Sequence, residues 1–267
     1  MMKKNRLLVI ILTCIVFLSA VVLGISTVFR VDTVTLKSTI ISQDAQVEIS
    51  DLQQRLQKAY DKESSFFADD TKAKEIMKDF TYFRLTSFEK KYPNRIEIEV
   101  VEDEELYALP IQGEENAYYI IGKDGIVLGE RSSYVNRLDN QNNLLITGLS
   151  VEGEKGKVLT GDAAFTSLLA FCNQANEVLG GVRRNVVSVE VIRMTSQEED
   201  TIFKITMKEG VKIYVRNLSA NPTEKAVVAF EKYLSLEDTQ RLTGRIVILE
   251  QADEIVSNYA EKNEFDL

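Results

Sequence analysis

The longest apolar stretch of the chain lies near its N-terminus and contains no charged residue. It runs from Leu7 to Val28, and at a helical rise of 1.5 Å per residue it is about 33 Å long, enough to cross a bilayer. A buried helix of a soluble domain usually has one polar face, whereas only scattered Ser, Thr and Cys residues interrupt this run. We therefore predict a transmembrane helix over residues 7–28, preceded by a tail of residues 1–6.

Charges on the two sides of this run differ. Lys3, Lys4 and Arg6 precede it without any acid, and acidic residues become frequent after it, beginning with Asp32. By the positive-inside rule, the N-terminus is expected in the cytoplasm and the bulk of the chain outside the membrane, as a single-pass type II protein. A cleaved signal peptide is the alternative, although its apolar region is normally about 7–15 residues long.

Residues 29–103 show the pattern strand, helix, helix, strand, strand. The first helix is predicted to begin at Ser50, because Gln53 follows at capping-box spacing. The last strand has the clearest period of two, in which Ile96, Ile98 and Val100 alternate with charged residues. The predicted elements are a strand over 29–36, helices over 50–60 and 73–80, and strands over 84–91 and 95–101, the last two joined by a turn at 92–94.

Residues 104–250 contain more strands and two clear helices. One helix is predicted over 165–179, ending at Gly180 and Gly181, and the other begins at Pro222 with Asn221 as its N-cap. Strands are predicted over 105–111, 117–121, 126–128, 187–191, 203–207, 211–215 and 244–249, and the apolar segment 144–149 introduces the first helix. The acidic segment 251–267 is expected to be a flexible C-terminal tail. The fold class is α+β: a transmembrane helix, a β-α-α-β-β module and a strand-rich domain with two helices.

Composition narrows the possible functions. Asp and Glu number 41 against 32 Lys and Arg, and the net charge of −9 argues against nucleic acid as a partner. Histidine is absent, so the usual catalytic base and the commonest zinc ligand are missing. The two cysteines, Cys14 and Cys172, fall in different compartments, and no disulfide is expected. We expect no catalytic residue, no cofactor and no metal.

Two sequence patterns are candidates for catalysis. The acidic run at 102–105 could serve a glycosidase acting on the cell wall, but adjacent acids on a turn usually form a solvated face. Ser87 and Lys90 have SxxK spacing, yet they fall in a predicted strand, where they would point to opposite faces. Neither pattern favours an enzyme, and a binding scaffold is the preferred interpretation.

Four segments and the order of the elements resemble the bacterial cell-division proteins FtsQ and DivIB. The segments are FRVDTV after the apolar run, KKYPNRIEIEVVEDEELYAL, YYIIGKDGIVL and LLITGL. The resemblance implies that residues 29–103 form a POTRA (polypeptide-transport-associated) domain and residues 104–250 the β domain of that family. It further implies a divisome scaffold at the septum that binds FtsL-type and FtsB/DivIC-type proteins and helps regulate septal peptidoglycan synthesis. The alternatives are another membrane-anchored POTRA-type protein of sporulation or secretion, and a wall-modifying enzyme.

The partner site is predicted on residues 245–249, in the last predicted strand of the chain. Its apolar run has no proline and no internal charge, so it would be poorly protected if it lay at the margin of the sheet. The resemblance implies that a strand of the FtsB-type partner is received near this edge, with Arg245 and Tyr259 giving selectivity for an acidic or aromatic segment. A strand buried on both faces is the alternative. The candidate partner-binding residues are Arg245, Ile246, Val247, Ile248, Leu249 and Tyr259.

Overall fold

A computed structural model describes residues 2–193, 201–251 and 254–261 of the 267-residue chain. The chain divides into two compact units, residues 1–103 and 104–267. This division falls between Asp103 and Glu104, where the sequence patterns placed the domain boundary. The two units are considered separately below.

The first unit begins with a long apolar helix, α1 (Met2–Val28). Its segment Ile11–Val28 has a mean hydropathy of 2.5 and is not buried by any other part of the protein. It is the one helix among the described residues that is long and apolar enough to cross a membrane. This helix agrees with the predicted single-pass anchor, as a matter of length and composition.

A three-stranded sheet covered by two helices follows. The elements are β1 (Thr33–Thr39), α2 (Gln43–Tyr60), α3 (Thr71–Met77), β2 (Phe83–Lys91) and β3 (Arg95–Glu102). The strand order is β1-β3-β2, with β3 parallel to β1 and antiparallel to β2. Ile96, Ile98 and Val100 of β3 are fully buried and share one core with Leu56 of α2 and Ala73 of α3. The predicted element order and the buried face of β3 are both confirmed.

Helix α2 begins earlier than predicted. Its N-cap is Ser42, whose hydroxyl accepts a hydrogen bond from Ala45 N, and Ser50 lies inside the helix. The buried Glu102 carboxylate fixes this start, because it accepts hydrogen bonds from Ile41 N at 2.7 Å and Ser42 N at 2.9 Å. The partner that decides the start is therefore about sixty residues away in sequence, so the local capping-box pattern at Ser50 was misleading.

The second unit contains a nine-stranded mixed sheet. Its strands are β4 (Tyr107–Pro110), β5 (Tyr118–Ile121), β6 (Val127–Arg131), β7 (Leu144–Thr147), β8 (Val186–Arg193), β9 (Thr201–Met207), β10 (Lys212–Arg216), β11 (Arg245–Gln251) and β12 (Glu254–Ala260). The spatial order is β12-β11-β10-β9-β8-β7-β4-β5-β6. The pairs β4/β7, β7/β8 and β10/β11 are parallel, and the other pairs are antiparallel.

Two helical crossovers produce two of these parallel pairs. Helices α4 (Ala164–Val178) and α5 (Val182–Asn185) connect β7 to β8, and helices α6 (Pro222–Leu234) and α7 (Asp238–Thr243) connect β10 to β11. Parallel neighbours require such long connections. α4 and α6 pack together through Phe171 and Phe230, whose ring centroids are 5.7 Å apart, and they share a core with the sheet. The two predicted long helices are confirmed, and α5 and α7 are short additions to them.

One prediction for this unit is wrong. Residues 254–260, expected in a flexible tail, form β12, because Arg245 to Gln251 of β11 offer a complete row of pairing partners. Asn221 is the N-cap residue of α6 and Pro222 opens the helix, as predicted, although Asn221 has a left-handed backbone (φ 51°, ψ 48°) and its side chain makes no capping hydrogen bond. Residues 252–253 and 262–267 of the predicted tail lie outside the described residues.

Candidate functional site at the edge of the large sheet

The predicted site strand, β11, is not at the edge of the sheet. It pairs in parallel with β10, from Lys212/Arg245 to Val215/Ile248, and antiparallel with β12 along its whole length. Ile246 and Ile248 are fully buried in the core. The prediction that residues 245–249 form an open edge is wrong, because the following segment folds back and occupies it. Strand β11 instead pairs with β12, which is the strand at the edge of the sheet.

The edge is formed by β12. Within the part of the chain that the structure describes, no strand pairs with its outer side. The opposite end of the sheet is different, because Val127 of β6 exchanges backbone hydrogen bonds with the loop beside it. Val127 N donates to Lys157 O at 2.9 Å, and Gly156 N donates to Val127 O at 2.8 Å. For β12, no such backbone hydrogen bond to a neighbouring loop is found among the described residues, so its outer side offers a row of backbone groups.

The sequence of β12 does little to protect this edge. Edge strands are commonly guarded by proline, by lysine or by a bulge, but the seven residues of β12 (EIVSNYA) contain no proline and no basic residue, and their register with β11 is uninterrupted. At about 3.3 Å per residue, the strand is roughly 23 Å long. This length suits the pairing of a strand from another chain.

Side chains on the two faces of β12 differ in character. Ile255 and Tyr259 pack against the core on the side of the helices, whereas Val256 and Asn258 alternate with them on the other face. Arg245 pairs with Ala260 in the register, and Tyr259 pairs with Ile246. Since neighbours along a strand point to opposite faces, Arg245 and Tyr259 lie on different faces of the sheet. They do not form the single selectivity patch that the sequence suggested.

Tyr259 holds β12 against the end of the α6–α7 crossover. A Cβ atom added to Gly244 would lie 2.1 Å from Cε2 of the Tyr259 ring, so the ring occupies space that only a glycine leaves free. The Tyr259 hydroxyl donates a long hydrogen bond of 3.4 Å to Gln240 O of α7. The predicted residue Tyr259 therefore lies on the edge strand, in a positioning contact rather than on an open surface.

A buried ion pair fixes the strand beneath the edge. Lys225 of α6 is fully buried, and its Nζ lies 3.0 Å from a carboxylate oxygen of Glu250 on β11 and 2.6 Å from Asn217 O. The pair joins the helix layer to β11 at the register position of Ile255. A buried ammonium is tolerated only with such partners. Sequence reasoning missed Lys225, and a lysine on the apolar stripe of a predicted helix was the available signal.

The residues considered for catalysis have structural partners. Glu102 binds the N-terminus of α2, as described above, and Glu105 is buried with a carboxylate oxygen 2.6 Å from the Arg131 guanidinium. Ser87 and Lys90 lie on β2, as predicted, rather than on one helical turn. Among the described residues, no group of three or more Cys, Asp or Glu side chains could hold a metal ion.

Cys172 belongs to the core of the second unit. It is buried on α4, and burial raises the pKa of its thiol to about 12. A thiol with so high a pKa is a weak nucleophile. The interpretation of Cys172 as a small core residue is supported by its position.

No protein-family model matches this chain, and comparison with curated proteins gives no match.

Proposed function

We propose that the protein is a membrane-anchored, non-enzymatic scaffold of bacterial cell division, as its resemblance to FtsQ and DivIB implies. Its partners would be FtsL-type and FtsB/DivIC-type proteins, and through them the septal peptidoglycan synthesis machinery. In this proposal α1 anchors the chain with its N-terminus in the cytoplasm, and the two units act outside the membrane at the septum. The observation that supports it most is the outer edge of β12, which no strand covers within the described part of the chain and which contains no proline or basic residue.

Strand addition is the binding mode that this edge supports. A segment of the partner would pair with β12 and extend the nine-stranded sheet by one strand, so that main-chain hydrogen bonds supply affinity. Its side chains would lie beside Val256 and Asn258 on one face and beside Ile255 and Tyr259 on the other. This moves the site implied by the resemblance from residues 245–249 to residues 254–260.

The first unit would be the POTRA-type module of this scaffold. Its β-α-α-β-β order and its sheet order β1-β3-β2 support that assignment. The apolar faces of α2 and α3 are already covered by the sheet. A strand-pairing site in the second unit and a separate module in the first would suit a scaffold with more than one partner.

Proline substitutions at two neighbouring positions test the site. The backbone N–H groups of successive residues in a strand point to opposite edges. Val256→Pro and Ser257→Pro therefore each remove one backbone N–H, and only one of the two removed N–H groups points away from β11. The variant that loses the outward N–H should keep its melting temperature. It should bind the FtsB-type protein roughly tenfold or more weakly, since a lost donor also leaves an acceptor unpaired, at about 1–3 kcal/mol.

The matched controls are Val256→Thr and Ser257→Thr, which keep both N–H groups and should bind like the wild type. Binding is measured with the full-length protein in detergent, by co-purification with the FtsB-type protein and by titration. If the proline variant with unchanged stability still binds at wild-type affinity, strand addition at β12 is wrong. Val247→Pro is unsuitable for this purpose, because β11 is paired on both sides and the substitution would disrupt the sheet itself.

A further inference from the structure

An aromatic cluster lies directly where the chain leaves α1. We call Phe29, Phe66 and Tyr92 the exit cluster. The ring centroids of Phe29 and Phe66 are 4.3 Å apart, those of Phe66 and Tyr92 are 5.5 Å apart, and those of Phe29 and Tyr92 are 6.2 Å apart. Phe66 and Tyr92 are 47% and 56% exposed, and Phe67 beside them is 83% exposed. Large apolar side chains exposed together usually mark a contact surface.

Backbone hydrogen bonds fasten the cluster to the segment that follows α1. Ser65 N donates to Phe29 O, and Val31 N donates to Glu63 O, both at 2.7 Å. The turn that carries Tyr92 is joined to the same segment, because the Ser65 hydroxyl donates to Pro93 O at 2.6 Å. The loop 63–67 and the turn 92–94 therefore cannot move far from the end of α1 without breaking the fold.

The depth of the cluster follows from the length of the apolar helix. The uncharged run to Val28 is about 33 Å long, close to the hydrocarbon thickness of about 30 Å. Phe29 is the next residue, and its N–H still donates to Ile25 O in the helical manner at 3.0 Å. The headgroup region of one leaflet is roughly 5–7 Å thick. The centroids of the other two rings lie 4.3 and 6.2 Å from that of Phe29, which is within about one thickness of this layer.

The chemistry of the cluster suits this layer. Tyr rings concentrate at the boundary of headgroups and acyl chains, where their apolar body and polar tip are both satisfied, and Phe side chains of interfacial segments are buried on the acyl side of that boundary. Arg30 is exposed beside the cluster, and the Lys90 ammonium lies 2.9 Å from Phe66 O. The acid within the loop, Glu63, is paired with Lys72 at 2.7 Å. Arg30 and Lys90 therefore place two cations beside the rings, where they can meet phosphate groups.

We propose that the exit cluster and Phe67 insert into the lipid interface of the leaflet through which α1 leaves the membrane. This contact holds the near end of the first unit against the bilayer, so the unit is not free to rotate on a flexible connection. The proposal rests on α1 spanning a membrane, but it does not depend on any role in cell division. It assigns a lipid-binding surface to the loop 63–67 and to Tyr92.

The chain contains no tryptophan, so a single introduced tryptophan reports on one position. The full-length Phe67→Trp variant is placed in phosphatidylcholine nanodiscs, and co-elution with the disc establishes that α1 is inserted. We expect blue-shifted emission and quenching by lipids brominated on the upper acyl chain, several-fold stronger than for the control. Tyr92→Trp is a second probe, and it should be quenched as well.

The control is Val47→Trp. Val47 is 75% exposed and lies on the same unit, but it is near the opposite end of α2, about 20 Å along the helix from Tyr60. Its emission should stay that of a water-exposed residue. If α1 is inserted and neither Phe67→Trp nor Tyr92→Trp is quenched more than Val47→Trp, the proposal is wrong. Failure of the variants to insert at all would overturn the membrane span on which it rests.

Discussion

At the scale of single residues, several buried ionisable groups stay protonated. Burial raises the pKa of Tyr60 and of Tyr233 to about 12, and Tyr233 also donates a hydrogen bond of 2.8 Å to the Glu209 carboxylate. Burial raises the pKa of Tyr107 further still, and that of Cys172 as described above. None of these residues lies in α1. Together they make the folded state sensitive to alkali.

This arrangement predicts a loss of stability at high pH. A folded-state pKa above the unfolded value means that the folded state binds more protons, so the free energy of unfolding falls as pH rises. The decline should begin near pH 9, where unfolded thiols and tyrosines start to ionise, and continue to about pH 12, the folded value of Tyr60, Tyr233 and Cys172. Denaturant titrations at increasing pH measure this decline in the free energy of unfolding.

The near-ultraviolet absorbance of ionised tyrosine gives a second test. It should show that a fraction of the tyrosines ionises only when the protein unfolds. Ionisation of every tyrosine in one step near pH 10, without unfolding, would contradict the prediction.

At the scale of elements, the position of β12 depends on a close approach between Gly244 and Tyr259. Gly244 has an ordinary backbone conformation (φ −79°), so an alanine there would be opposed by the Tyr259 ring and not by backbone strain. The ring belongs to the edge strand, and β12 must shift if the ring is displaced. The contact therefore connects the α6–α7 crossover to the availability of the candidate site.

Gly244→Ala should destabilise the second unit by about 1–3 kcal/mol, as overpacking usually does. It should also speed amide hydrogen exchange in residues 254–260 more than elsewhere. The matched test is the same substitution in a Tyr259→Ala background, where the obstructing ring is gone and most of the added cost should disappear. An equal cost in both backgrounds, measured by denaturant unfolding, would show that the ring contact does not hold β12.

At the scale of the whole molecule, the apolar helix and the charge distribution predict the topology. Basic residues precede the run and acidic ones follow it, so the chain beyond Arg30 is expected outside the cell membrane. Protease added to cells stripped of their wall should remove an epitope at the C-terminus and leave one at the N-terminus protected. Protection of the C-terminal epitope, with the outer face accessible to a control protein, would reverse the orientation.

The sequence by itself determined the elements whose periodicity is local. The uncharged run 7–28, the alternation of Ile96, Ile98 and Val100, and the apolar stripe of α4 could each be predicted, because all the apolar residues of such an element face the same environment. The boundary near Asp103 was readable too, since it follows from where one set of elements ends and the next begins. The coarse α+β architecture and the apolar anchor helix rested on these patterns.

Only the tertiary structure decided which strand lies at the edge and where α2 begins. Both depend on partners that are distant in sequence or in a segment with a weak pattern: Glu102 fixes the start of α2, and β11 provides the row of groups on which β12 forms. An edge is a property of the whole sheet, because any strand is an edge until another segment pairs with it. The composition of residues 246–249 fits an edge strand as well as a strand in the interior of the sheet. The pairing of residues 254–260 with this strand puts it in the interior.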